Sequence, residues 1–308
     1  MFNKEIKSVL DLIKAFPDEQ TCINHLEELR WDGEVISPFD AESKVYKCKG
    51  NKYQCKNTGK YFNVKTNTIF DNTKIELQKW FLAIWLATSY KKGISSIQLS
   101  KELDITQKSA WFLLQRIRNC FGIDDDEQLD GIVEADETFV GGKNKNRHKD
   151  KKVAQSQGRS FKDKTPVLGL LQRDGTVRAF VIPDTKSKTI QPIILKHVQK
   201  DSVFISDEWH GYRGLHNHFD HHVVDHGKKQ YVDFNNPEIH SNSIEGFWGI
   251  LKRGYNGIYN WWSRKHMQKY VDEFVFRFNQ RKQTQFTRFT NLLLNMENRI
   301  TYKELING

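Results

Sequence analysis

Residues 131–140, GIVEADETFV, set a carboxylate, Asp136, in the middle of an otherwise apolar strand pattern. An ionised carboxylate there is costly unless a cation meets it. The same stretch begins a run of sheet signals. Residues 166–172 and 176–182 read as strands joined by the turn Arg173-Asp174-Gly175, 189–200 as a helix, and 202–206 as a short apolar strand that ends at Asp207. From about 241 the pattern is helical. Strands, a helix, another strand and then helices suit a mixed sheet flanked by helices. Asp207 would emerge at the C-terminal edge of that sheet, where sites in such folds form. Glu245 and Lys252 lie two helical turns apart in NSIEGFWGILKRG, on one face with Gly249 between them. Two strands and a helix would thus supply three carboxylates, the donor set of a two-metal site. Plainer roles exist for each. Asp136 could pair with a buried Lys or Arg, Asp207 could cap the next helix, and Glu245 fits the third position of a capping box after Asn242.

Upstream, residues 3–15 and 18–30 read as two helices split at Pro17, followed over 33–72 by short strands and turns. There YQCKNTGKYFNV has the rhythm of a zinc-ribbon hairpin. Residues 94–118 divide into helix, turn and helix, with Ile97, Leu99 and Leu103 on the buried side of the first and Lys108, Gln115, Arg116 and Arg118 on the polar face of the second. A helix-turn-helix lays such a face in the DNA major groove; an ordinary helical hairpin is the alternative. The expected fold class is α+β with four segments. These are N-terminal helices plus a ribbon-like region (1–73), a helix-turn-helix region (74–123), a mixed-sheet domain (124–285) and a C-terminal helix with a tail (286–308).

Charge agrees with a polyanionic partner: 48 Lys and Arg against 38 Asp and Glu give +10. Much of the excess falls in the polar stretch 143–164, whose Lys143, Lys145 and Arg147 suit DNA phosphates. No apolar run approaches the roughly 18 residues of a membrane span, and the N-terminus lacks a signal-peptide pattern, so a cytoplasmic protein is expected. Four scattered cysteines suggest no disulfide framework.

The motifs VEADETFVGGK, SDEWHGY and HSNSIEGFWGILKRG, in that order, resemble bacterial insertion-sequence transposases of the Asp-Asp-Glu (DDE) class. Together with TNTIFDNTKIELQKWFLAIWL, KKGISSIQLSKELDITQKSAWFLLQRIR and RKHMQKYVDEFVFRFNQR, they resemble the branch carrying a zinc ribbon and a helix-turn-helix before an RNase H-like domain. The resemblance implies that Asp136, Asp207 and Glu245 hold two Mg²⁺ ions, for which Mn²⁺ can substitute. It places Lys252 near a DNA phosphate and His240, Asn242 and Arg253 beside site or DNA. Some members use an asparagine as the third ligand, which makes Asn242 an alternative to Glu245. It further implies double-stranded DNA partners (element ends and target), a dimer or higher assembly on DNA, and a bacterial, nucleoid-associated setting. The two Cys-x-x-Cys pairs of the family's ribbon align here with Ser37-Pro38-Phe39-Asp40 and Cys55-Lys56-Asn57-Thr58. One ligand of four remains, so a ribbon without zinc is expected, resting on Tyr53, Tyr61, Phe62 and Val64. An improvised site from Cys48, Cys55 and His25 is the alternative. Two rival functions stay open: a DNA-binding protein without catalysis, and an RNase H-like nuclease without strand transfer.

Overall fold

The computed structural model describes residues 6–122, 127–141, 148–154, 163–224 and 239–307. Lys143, Lys145 and Arg147 lie outside them. The chain forms two compact units, one of residues 1–122 with 282–308, the other of residues 123–281. The four-segment expectation therefore changes. The ribbon-like and helical segments fold as one unit, and the C-terminal segment belongs to it.

In the first unit, α1 (Val9–Ala15) starts from a capping box between Ser8 and Asp11, and Asp18 caps α2 (Glu19–Trp31). A three-stranded antiparallel sheet follows: β1 (Val45–Cys48), β2 (Lys52–Cys55) and β3 (Tyr61–Phe62). Tyr53 stacks on Phe62, and Trp31 meets both edge-on. Tyr53, Phe62 and Val64 are buried, but Tyr61 is exposed, because it alternates with the buried Phe62 on the two-residue β3. Cys55 is buried, and burial alone would raise its thiol; hydrogen bonds with Ser37, Ser43 and Thr58 instead bring it down to about 6. Hydroxyls thus surround Cys55, two of them at positions aligned with the family's zinc ligands, and a single cysteine does not make a zinc site. The Cys55 acidity predicts a pH effect. A thiol with a depressed folded pKa stabilises the fold above its unfolded value, near 8.5, and loses that contribution as pH falls through about 6. The melting-temperature advantage of wild type over Cys55→Ser should therefore shrink as pH is lowered from 9 to 6; an advantage that stays flat would contradict it.

Helix α3 (Leu77–Ser89) is apolar on nearly every side and buried accordingly. Its first free amide, Leu77 N–H, donates to the Glu19 carboxylate at 2.6 Å. Ser95 and Thr106 cap α4 (Ser96–Leu103) and α5 (Gln107–Arg118), which are joined through Asp104 in the left-handed region. Leu99 and Leu103 are buried as the periodicity predicts, whereas Ile97 faces solvent. The C-terminal α9 (Gln285–Leu294) inserts Phe289 against Phe16, Phe81 and Trp85, and α10 (Tyr302–Asn307) sets Tyr302 edge-on to Phe112. This aromatic packing is why the C-terminal segment is not a tail.

The second unit is built on a five-stranded mixed sheet. Its strands are β4 (Ile132–Gly141), β5 (Lys164–Gln172), β6 (Val177–Val181), β7 (Val203–Asp207) and β8 (Asp220–Val224), in the spatial order β6-β5-β4-β7-β8. β4, β5 and β6 form an antiparallel meander, while β7 and β8 run parallel to β4. Alternation along β4 divides two cores. Val133 and Ala135 face the layer of α6 (Ser187–His197), and Val140 faces α7 (Asn242–Gly254) and α8 (Met267–Asn279). Among the described residues, no helix is long and apolar enough to cross a membrane.

Candidate active site

Register places Asp136 beside Gly169 of β5, and the parallel pairing Glu134↔Ile205 carries Asp207, two residues on, to the level of Asp136. Asp136, Glu137 and Asp207 each offer a carboxylate oxygen, and these oxygens lie within 4.8 Å of one another. Glu137 and Asp207 are buried and Asp136 is half-buried. Crowding carboxylates this way is unfavourable without a cation, and oxygen-only donors suit a hard divalent ion. The donor set therefore fits a divalent metal ion.

The surroundings hold these groups still. Asp136 accepts the Glu137 N–H on one oxygen at 2.8 Å and the Trp248 indole N–H on the other at 3.0 Å. Asp207 accepts the Trp209 N–H at 3.0 Å. Tyr212 is fully buried behind the cluster. Its phenol is pushed well above the ordinary range, first by burial and then by the Glu137, Asp136 and Asp207 carboxylates.

Trp248 reaches Asp136 because the sheet beneath it is flat at Gly169. A Cβ there would lie 2.5 Å from the indole ring. Gly169→Ala should accordingly cost about 1–3 kcal/mol as an overpacked core and shift the donor away from Asp136. Urea unfolding reads the first effect, and unchanged stability would contradict it.

A second carboxylate of β4 does different work. Glu134 is wholly buried on the same strand face as Asp136. One oxygen accepts the backbone N–H groups of Ser243 and Ile244, at 2.9 and 3.0 Å, at the start of α7. The other accepts Arg173 Nε and Nη2 at 3.1 and 2.9 Å, with His240 Nδ1 3.6 Å away. Arg173 also donates to the His240 carbonyl. Ser241 at the N-cap makes no side-chain cap, so the helix takes its cap from the sheet. A negative charge at a helix N-terminus is doubly favourable, as acceptor and as dipole partner. The helix thus starts at a fixed place, Asn242, three residues before Glu245.

With this geometry in view, known proteins give a consistent match. Residues 128–279 match the ISXO2-like transposase domain. A Halobacterium salinarum relative, "Uncharacterized protein in transposable element ISH50", is 30% identical over 257 residues, covering 78% of this chain and 84% of the relative. The chain belongs to the insertion-sequence transposases of the DDE class. An "Uncharacterized transposase-like protein" of Haemophilus influenzae is 31% identical over 107 residues, 33% of this chain and 80% of that one. Among solved structures, the Mos1 strand transfer complex aligns over 72% of this chain and 78% of that one, at 12% identity and a TM-score of only 0.29.

The residues expected of such a transposase separate into three sets. Asp136 and Asp207 are brought together. Glu245 is exposed on α7 and does not join their cluster, where Glu137 stands instead. Asn242, Lys252 and Arg253 are exposed on the same helix, and Asn242 is its first residue rather than its cap. His240 belongs to the Glu134–Arg173 network. On α5, Lys108 is exposed, but Gln115, Arg116 and Arg118 are buried. The Arg116 guanidinium donates to the carbonyls of Ile69, Asp71 and Ile300, so it ties the unit together and cannot face a DNA groove. Glu134, Glu137 and Tyr212 were not singled out by sequence, although the run VEADE does place three acidic residues on one strand.

Proposed function

We propose that the chain is a DNA transposase that binds the terminal inverted repeats of its element, cleaves a strand there and joins the freed end to target DNA. The observation that carries this reading is the crowded, oriented trio Asp136, Glu137 and Asp207 on the adjacent inner strands β4 and β7 of a mixed sheet. Its strand order, an antiparallel meander continued by two parallel strands, is what an RNase H-like catalytic domain requires. Asp136 and Asp207 would hold Mg²⁺, with Mn²⁺ as a substitute. Such ions polarise the scissile phosphate and lower the pKa of the attacking oxygen. Trp248 fixes the rotamer of Asp136, Trp209 N–H fixes Asp207, and Lys252 with Arg253 supplies positive charge for the DNA backbone on α7.

The third ligand has two candidates. Family resemblance favours Glu245; position in the cluster favours Glu137. Titrating Mn²⁺ into Glu245→Gln and Glu137→Gln separates them, because the true ligand's variant loses metal affinity without DNA present. Asn242, on α7 beside Glu245, is tested in the same way.

In the first unit, α4 and α5 form the proposed helix-turn-helix. The exposed N-terminal residues Gln107 and Lys108 of α5, rather than its buried C-terminal half, would approach bases. The three-stranded sheet is its zinc-free ribbon. Working on two element ends at once calls for a dimer or larger assembly on DNA in the bacterial cytoplasm. Incubating a supercoiled plasmid bearing the element's ends with protein and Mg²⁺ tests the reading: nicks mapping to the element boundary support it. Nicks scattered at random would favour a simple nuclease, and boundary binding without nicks a DNA-binding regulator.

A further inference from the structure

Trp261 is the most exposed large apolar side chain among the described residues, at 69% of its free surface. Leaving an indole in water is unfavourable, and the local backbone holds it there. After α7 the chain makes a π-helical turn, Tyr255–Tyr259, a feature that recurs at functional sites. Asn260 then adopts the left-handed region at φ 60°, its N–H bonded to the Tyr255 carbonyl and the Trp261 N–H to that of Tyr259, both at 2.7 Å. The next residue, Trp262, is buried. It stacks on Tyr270 at 5.0 Å between ring centres and meets Tyr255 edge-on at 5.1 Å. Tyr259 in turn packs edge-on against Tyr270 and bonds Glu273. One tryptophan of the pair is thus locked into the core, and the other is presented outward on a rigid mount.

The charge around it narrows the partner. From residue 246 to residue 271 the sequence contains no Asp or Glu, but does contain Lys252, Arg253, Arg264, Lys265 and Lys269. The first four are exposed. Arg264 and Lys265 follow Trp261 within four residues, so a second copy docking through this segment would set positive charge against positive charge. A nucleic acid strand would instead pair its phosphates with the cations and offer a flat, apolar base to the indole. We infer that Trp261 is a stacking platform for an unpaired DNA base, flanked by phosphate-binding Lys and Arg side chains. This rests on the DNA-handling reading above and adds a binding role for a residue outside the carboxylate cluster. Strands opened at or near the element end are the substrate class that provides such bases.

The test measures binding of a fluorescein-labelled oligothymidylate and of a fully paired duplex carrying the element end, by anisotropy, to the full chain. Trp261→Ala should weaken oligothymidylate binding roughly tenfold, the size of one lost base–aromatic stack, with a far smaller change for the duplex. Trp261→Phe should keep most of the wild-type affinity. Lys265→Ala should weaken both probes and flatten the salt dependence. Because Trp261 lies outside the core, its variants should melt with the wild type. Oligothymidylate binding by Trp261→Ala equal to wild type would overturn the inference while leaving the transposase reading intact. So would a change in oligomer mass with no change in DNA binding, which would make Trp261 a protein contact. Failure of the wild type to bind either probe would remove both.

Discussion

Asp136→Asn and Asp207→Asn should each fold normally and lose at least about 10³-fold in metal-dependent DNA cleavage, since a metal site contributes several kcal/mol to the transition state and each 1.4 kcal/mol is tenfold. Asparagine keeps the shape and one acceptor oxygen, so Trp209 N–H retains its partner at position 207, whereas at position 136 only one of the two donors, the Trp248 indole or the Glu137 N–H, does. What it removes is one negative charge from a group whose oxygens lie within 4.8 Å of one another. In metal-free buffer the variants should therefore be as stable as wild type or more so, because the crowded charges repel. Mn²⁺ affinity should fall in parallel with activity. Stability that falls along with activity would point to a structural role for the aspartates instead. Cleavage retained in either variant would remove that residue from the site.

Glu134→Ala should be the most destabilising single change in the second unit. It takes the carboxylate from the Arg173 guanidinium, which keeps its bond to the His240 carbonyl, and leaves the Ser243 and Ile244 amides at the head of α7 without their acceptor. Removing one partner of a buried ion pair costs about 3–5 kcal/mol, a large share of the roughly 5–15 kcal/mol that holds a domain together. Glu134→Gln preserves shape and one acceptor oxygen, so its cost should be smaller, about 1–3 kcal/mol. Denaturant unfolding measures both. Amide exchange at Ser243 and Ile244 localises the effect, which should appear as lost protection at the start of α7. Wild-type stability in Glu134→Ala would mean that the helix does not depend on the sheet for its cap.

What could be read from sequence follows from how local each signal is. Asp136 and Asp207 stood out because each interrupts or ends an apolar strand, and strand periodicity alone assigns their positions. Glu134 did not, although it lies on the same strand. Its meaning comes from a contact with α7 that is 110 residues away in sequence. Glu137 was hidden for a similar reason: alternation assigns it to the other face, yet its side chain reaches the same cluster. Strand β8, with the sequence DHHVV, has little apolar signal and owes its existence to parallel pairing with β7. On α5 the helical period assigns the apolar side, but of the expected polar face Lys108 is exposed while Gln115, Arg116 and Arg118 are buried. Arg116 looks like a surface residue until the carbonyls of Ile69, Asp71 and Ile300 are brought around it. The C-terminal helix was legible as a helix, but Phe289 finds its place only once Phe16 and Phe81 are assembled.

The central proposal is that the carboxylate cluster joins DNA strands with the help of divalent metal. The most direct test supplies element ends already cut to a labelled 3′-hydroxyl, a plasmid target and Mg²⁺. Labelled end joined covalently to the plasmid by wild type, abolished by chelation and by Asp136→Asn, is the predicted result. Tight binding to the ends with no joined product in either Mg²⁺ or Mn²⁺ would contradict it, and would leave a protein that recognises DNA without acting on it.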